Sequence, residues 1–137
     1  MSGFQWPVRV YYEDTDSGGV VYYANYLRFM ERARTEWMRS LGFEQDRLIR
    51  EEGIVFAVRS ANVEFLRPAR FNDLLTVMTL LQQCGRASLT FAQSISRQHE
   101  ESRPCCTGEV KVACVNADTF RPQPIPETLM KEIVDVD

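Results

Sequence analysis

Residues 8–42 read VRVYYEDTDSGGVVYYANYLRFMERARTEWMRSLG, and the fold turns on this stretch. Its start belongs to residues 6–12 (WPVRVYY), whose aromatic and β-branched content predicts a strand. That strand runs into Glu13, Asp14, Thr15, Asp16, Ser17, Gly18 and Gly19, a polar, glycine-bearing loop. From residue 25 to residue 41 the apolar side chains Tyr26, Phe29, Met30, Ala33, Trp37 and Leu41 recur at three- and four-residue steps. Arg28, Glu31, Arg32, Thr35, Glu36 and Arg39 fill other faces. The spacing predicts one long amphipathic helix, and Gly42 is placed to end it.

Downstream, residues 43–52 suggest a short second helix, and Gly53 opens a run of strands predicted at 54–65, 74–83, 88–97 and 107–117. The breaks carry turn chemistry: Arg67, Pro68 and Arg70 with Asn72 and Asp73, then Gly85 and Arg86, then residues 99–104. Short polar turns predict antiparallel neighbours. In the last strand Val110, Val112 and Cys114 alternate with Glu109, Lys111 and Ala113, the pattern of a sheet with one face covered. Pro122, Pro124 and Pro126 make an extended exit before a short terminal helix at 127–134. One strand, a long helix and an antiparallel run predict an α+β fold, with the helix packed on a curved sheet in a single domain over residues 1–137. No repeat, low-complexity tract or linker interrupts it.

With 137 residues, 45% hydrophobic and 11% aromatic, the chain has material for a substantial core. A net charge of -3 offers no global attraction to nucleic acid or anionic lipid, so an anionic ligand needs a local basic pocket. Cys84, Cys105, Cys106 and Cys114 match neither zinc-site spacing nor a disulfide scaffold, which predicts reduced thiols and no metal. The first residues show no export signal, and no apolar run is long enough to span a bilayer. A cytoplasmic location is the expectation.

Chemistry concentrates in the acidic loop. Asp16 sits a few residues before a helix whose first N–H groups lack internal partners. Acyl hydrolysis needs both parts: a carboxylate to attack or to activate water, and donors for the oxyanion. The N–H groups of Tyr23 and Ala24 are candidate donors. Acidic turn residues also serve solvation and helix capping, so the spacing alone leaves both readings open.

Residues 8–26 (VRVYYEDTDSGGVVYYANY), followed by 29–34 (FMERAR), resemble the signature of the 4-hydroxybenzoyl-CoA thioesterase family. Within it the chain is most similar to acyl-CoA thioesterases associated with the bacterial Tol-Pal envelope system. The resemblance implies a hot-dog fold, in which a curved antiparallel sheet wraps the long helix. It also implies homodimers that pair into homotetramers, active sites at subunit interfaces and no cofactor. By position it makes Asp16 the nucleophile or general base and the Tyr23 N–H the carbonyl-polarising donor, with Asp14 in a supporting or capping role. The coenzyme A portion is expected at residues 56–59 and 85–87, with Phe56, Val58, Arg59 and Arg86 as binding residues and the arginines meeting phosphates. Arg67 and Arg70 are weaker candidates, equally suited to a subunit contact.

Many Tol-Pal-associated relatives carry histidine where this chain has Tyr23, whereas the 4-hydroxybenzoyl branch carries an aromatic residue. Short-chain aliphatic and small aromatic acyl groups therefore both stay open. His99, the only histidine, falls in an expected surface turn, which disfavours a Ser-His-Asp site and a histidine-dependent hydratase. A third reading is a non-catalytic subunit that holds acyl thioesters or acyl carrier protein, linked to envelope or phospholipid metabolism. Glu31 lies about two turns into the helix, where its side chain can turn toward the site, and an exposed ion pair with Arg34 or Arg28 explains it equally well.

Overall fold

An apolar helical stripe needs a concave apolar surface, and the strands supply it. In the computed structural model, which describes residues 3–136 and the side chains of 3–133, that stripe belongs to α1 (Tyr23–Ser40). The other elements are β1 (Phe4–Arg9), α2 (Gln45–Arg47), β2 (Ile54–Phe65), β3 (Leu74–Cys84), β4 (Ser88–Arg97), β5 (Cys106–Asn116) and α3 (Glu127–Val136). The strands form one antiparallel sheet in the order β1-β3-β4-β5-β2. This is the α+β hot-dog architecture expected from the sequence.

Phe29, Met30 and Ala33 of α1 are fully buried, and the Trp37 ring meets Phe91 of β4 edge-on at 5.1 Å. α1 stops at Ser40, and Gly42 takes φ 94, a left-handed conformation that only glycine adopts without strain. The helix expected at 43–52 is α2 followed by a single π-helical turn, Leu48–Glu52, which Gly53 closes at φ 66.

Two bulges bend the sheet, one between Val58 and Ser60 in β2 and one between Leu81 and Gln83 in β3. The β2 bulge also shifts side-chain parity. Before it Phe56 and Val58 face α1, and after it Ala61, Val63 and Phe65 do so.

Two expectations need correction. The first strand begins earlier and ends at Arg9, because the Asp14 carboxylate accepts the Tyr11 N–H at 2.8 Å and pulls Tyr12–Asp14 into a 3-10 turn. The 66–73 connection does not join neighbouring strands, since β2 pairs with β5 while β3 lies between β1 and β4. It crosses the N-terminal end of α1, where the Ala69 N–H donates to the Tyr26 hydroxyl at 3.0 Å and the Ala69 carbonyl accepts the Val21 N–H at 2.8 Å.

The two sheet edges differ. β1 is short and carries Pro7, which blunts it. β2 has 12 residues, with Val58 56% and Phe65 50% exposed, and nothing among the described residues covers its outer edge. A long apolar edge invites another strand. No helix among the described residues is long and apolar enough to cross a membrane.

Replacing Phe29 by alanine leaves a cavity at the centre of the curl and is expected to lower unfolding free energy by about 3–5 kcal/mol. Urea denaturation at fixed protein concentration measures it.

Candidate active site

The loop between β1 and α1 is folded back on itself. The Asp16 N–H donates to the Val20 carbonyl at 2.9 Å and the Gly19 N–H to the Asp16 carbonyl at 3.0 Å, closing a tight turn above the Thr15–Val21 bridge. Gly19 completes it at φ 79. Asp16 Oδ1 accepts the Gly18 N–H at 2.8 Å, which fixes the carboxylate and leaves Oδ2 without a partner among the described residues. Asp16 itself is exposed.

One carbonyl ties this turn to α1. The Asp14 oxygen accepts the Tyr22 N–H at 2.9 Å and the Asn25 side-chain amide at 3.0 Å. Asp14 and Asn25 are both 7% exposed, so the loop and the first helical turn form one hydrogen-bonded block. Asp14 thus has the supporting role expected of it, and Asn25 is a residue that sequence reasoning missed. Its signal was faint: an asparagine two positions inside a helix, where the residue type is unfavourable without a tertiary partner.

The N-terminus of α1 is open. Its N-cap is Tyr22, whose side chain makes no capping hydrogen bond, where serine, threonine, aspartate or asparagine is usual. The Asn25 N–H turns back to the Tyr22 carbonyl at 2.8 Å, while the N–H groups of Tyr23 and Ala24 find no acceptor among the described residues. The Tyr23 ring lies against Tyr22 at 4.9 Å and edge-on to Phe65 at 5.8 Å. Two free donors therefore lie at a helix start beside the Phe65 end of β2, tied to the Asp16 turn through the Asp14 carbonyl.

A cavity of about 550 Å³ lies between α1 and β2, with Leu27, Val58, Ala61 and Val110 in its walls. Arg34 lines it and also the smaller adjoining cavity with Phe56 and Val112. Burial pushes the Arg34 pKa down, opposed by Glu31. The ion pair expected of Glu31 with Arg34 or Arg28 is absent among the described residues; Glu31 instead accepts the Thr35 hydroxyl at 3.2 Å.

The remaining expected site residues lie elsewhere. Phe56, Val58 and Arg59 occupy the first half of β2, and Arg86 is exposed on the β3–β4 turn. Ala57 and Ser88 both pair with Ala113, so that turn is level with residues 56–59, one strand removed. Eight residues of β2 separate Ala57 from Phe65, roughly 26 Å at strand rise. A single protomer therefore ties the Asp16 turn to the Tyr23 helix start through Asp14 but sets residues 56–59 and the Arg86 turn toward the opposite end of β2 from Phe65.

Other nucleophiles are poorly placed. Burial pushes the Cys106 thiol up to about 12 and the Cys114 thiol to about 11, which keeps both protonated near neutral pH. His99 is exposed on the β4–β5 hairpin at φ 69, and its imidazole makes no hydrogen bond among the described residues. No group of three or more potential metal ligands gathers among the described residues.

Comparison with known proteins matches residues 10–133 to the model of the thioesterase-like superfamily. The chain is 43% identical over 129 residues to the acyl-CoA thioester hydrolase YbgC of Escherichia coli, covering 94% of each chain. A crystal structure of a probable thioesterase from Bartonella henselae superposes with a TM-score of 0.85 at 34% identity, over 91% of this chain and 100% of that one. A 4-hydroxybenzoyl-CoA thioesterase mutant complexed with 4-hydroxybenzoyl-CoA shares the fold, with a TM-score of 0.85 at 22% identity, over 96% of this chain and 99% of that one.

Asn25→Ala leaves the buried Asp14 carbonyl with one donor fewer and is expected to cost about 1–3 kcal/mol. The accompanying sign is faster hydrogen exchange at the Tyr22 amide, read by mass spectrometry or NMR.

Proposed function

Because this chain belongs to the thioesterase-like superfamily, we propose that it hydrolyses acyl-CoA thioesters to the free acid and coenzyme A, acting on short-chain aliphatic or small aromatic acyl groups. The observation that carries the mechanism is the block just described: a carboxylate fixed by the Gly18 N–H and an uncapped helix start, joined through the Asp14 carbonyl.

The substrate carbonyl oxygen lies at the Tyr23 N–H, with the Ala24 N–H beside it. In one route Asp16 takes a proton from water while the oxygen of that water bonds to the carbonyl carbon. The oxyanion is held at the helix start, the C–S bond breaks, and the proton passes to the departing sulfur. In the other, an Asp16 oxygen attacks, coenzyme A leaves as the thiolate, and water hydrolyses the resulting anhydride. Both routes place charge on the carbonyl oxygen, where two preorganised backbone donors and the positive end of α1 stabilise it without reorganisation.

The distance along β2 supports a dimer. If the outer edge of β2 pairs antiparallel with the same edge of a second copy, the Ile54 end of one strand meets the Phe65 end of the other. Phe56, Val58 and Arg59 of the partner subunit then approach Asp16 and Tyr23, and the partner subunit's Arg86 lies on the same side to meet coenzyme A phosphates. The pairing also covers an edge that is otherwise unprotected. Further pairing to a tetramer, a cytoplasmic location and a link to the Tol-Pal system rest on the family resemblance, as does an acyl carrier protein partner.

Asp16→Asn keeps the acceptor for Gly18 and removes the base. It is expected to lower kcat by roughly 10²-fold or more, in a coenzyme A release assay over a panel from acetyl- to palmitoyl-CoA with benzoyl- and 4-hydroxybenzoyl-CoA. Undiminished turnover in the variant sinks the assignment of Asp16, and no turnover by wild type on any thioester turns the reading to a non-catalytic holder.

Composite sites make a second prediction. Asp16→Asn and Arg59→Glu should each lose nearly all activity alone. After mixing, unfolding and refolding together, heterodimers with one intact site should restore up to about a quarter of the wild-type rate. Restoration fails if every site is built from one chain.

A further inference from the structure

Tyr23, Leu27 and Arg34 lie on one side of α1, since steps of four and eleven residues return almost to the same face of a helix. Leu27 and Arg34 of that side line the cavity between α1 and β2. Leu27, one turn along α1 from Tyr23, is the lining residue nearest the proposed oxyanion donors, and Val58, Ala61 and Val110 extend the apolar wall. An acyl chain, the least hydrated part of the substrate, fits such walls better than the phosphate-bearing nucleotide does.

The groove is not apolar throughout. Arg28, Arg32 and Arg34 line it against the single carboxylate of Glu31, so the charge inside is positive. Arg34 is the fixed member. Its Nη1 donates to Gln93 Oε1 at 3.0 Å, and Gln93, 3% exposed, is itself anchored by donating to the Met30 carbonyl at 3.0 Å and to Thr79 Oγ1 at 2.9 Å. Arg34 takes part in no ion pair among the described residues. A guanidinium has five N–H donors, and this anchor occupies one side of the fork. A half-buried cation without a carboxylate is costly unless something supplies one. Helical side chains lean toward the N-terminus, which sets the Arg34 fork about two turns, roughly 11 Å, from the start of α1.

We propose that the groove takes the acyl chain and that Arg34 binds a carboxylate at its far end, so that acyl groups ending in a carboxylate are preferred over unsubstituted chains of the same length. This rests on the thioester hydrolase reading above and names the substrate class within it. The planar fork matches a carboxylate in two-point contact, and Gln93 holds it in place before substrate arrives.

The experiment compares kcat/KM for adipoyl-CoA and hexanoyl-CoA on wild type, Arg34→Met and Arg34→Lys. The ratio of two substrates on one preparation is unaffected by an inactive fraction, so partial misfolding of a variant does not blur it. Wild type should favour adipoyl-CoA by roughly tenfold or more, Arg34→Met should abolish the preference, and Arg34→Lys should retain part of it. Equal ratios in wild type and Arg34→Met overturn the inference and leave the hydrolase reading intact, as happens if a carboxylate of a second subunit already neutralises Arg34. If no thioester is turned over, the hydrolase reading fails by itself. Calorimetric binding of the same two thioesters then decides: tighter adipoyl-CoA binding that Arg34→Met removes supports the subsite, and equal binding overturns it.

Discussion

Burial of the α1 stripe governs the rest of the molecule. Phe29, Met30, Ala33 and Trp37 lose contact with water only if a sheet curls around them. Bulges in β2 and β3 bend the strands, and the polar atoms that the curl must enclose are paired, as Gln93 shows by joining β4 to the Met30 carbonyl and to β3. Because the curl stays open at one side, β2 is left as an edge along the flank of the helix. The groove, its arginines and the unpaired strand are consequences of that opening.

The same constraint sets the loop. α1 enters the sheet with a fixed direction, so the chain leaving β1 must turn back within a few residues to reach it. Asp14 serves that return twice, capturing the Tyr11 N–H with its side chain and bridging Tyr22 and Asn25 with its carbonyl. The turn at Asp16 to Gly19 projects from this buried support. Acidic loop and helix start are therefore held relative to one another by backbone and amide bonds, which position more tightly than long flexible side chains would.

Much of this was legible in the chain. Periodicity placed α1, and alternation with turn residues located β2 and β4 at their observed bounds, because those patterns follow from burial on one side. Strand order was not legible: the polar 66–73 segment looks like a hairpin turn but spans the sheet, and only the tertiary contacts of Ala69 with Tyr26 and Val21 reveal why. Asp16 and Tyr23 stood out as a carboxylate ahead of a helix start. Arg34 did not, since an arginine among the six charged residues of 28–39 reads as part of a solvated face until the groove behind it is seen.

The exposure of Asp16 ties the proposed chemistry to assembly. In one protomer its carboxylate faces water, and bulk solvent weakens any field that the helix start can exert on a substrate carbonyl. In the proposed dimer a partner strand along β2 would bring apolar Val58 and Phe56 over that surface and displace water from it. The edge that would leave an isolated protomer prone to association is then the means by which the site is closed, and stability and turnover become linked through protein concentration. A tighter protomer with a covered β2 edge would be safer from aggregation, yet its Asp16 would remain hydrated and far from the residues proposed to grip coenzyme A. On the proposed dimer that conflict would account for a long strand with neither a proline nor, among the described residues, a covering helix, in a chain that blunts its other edge with Pro7.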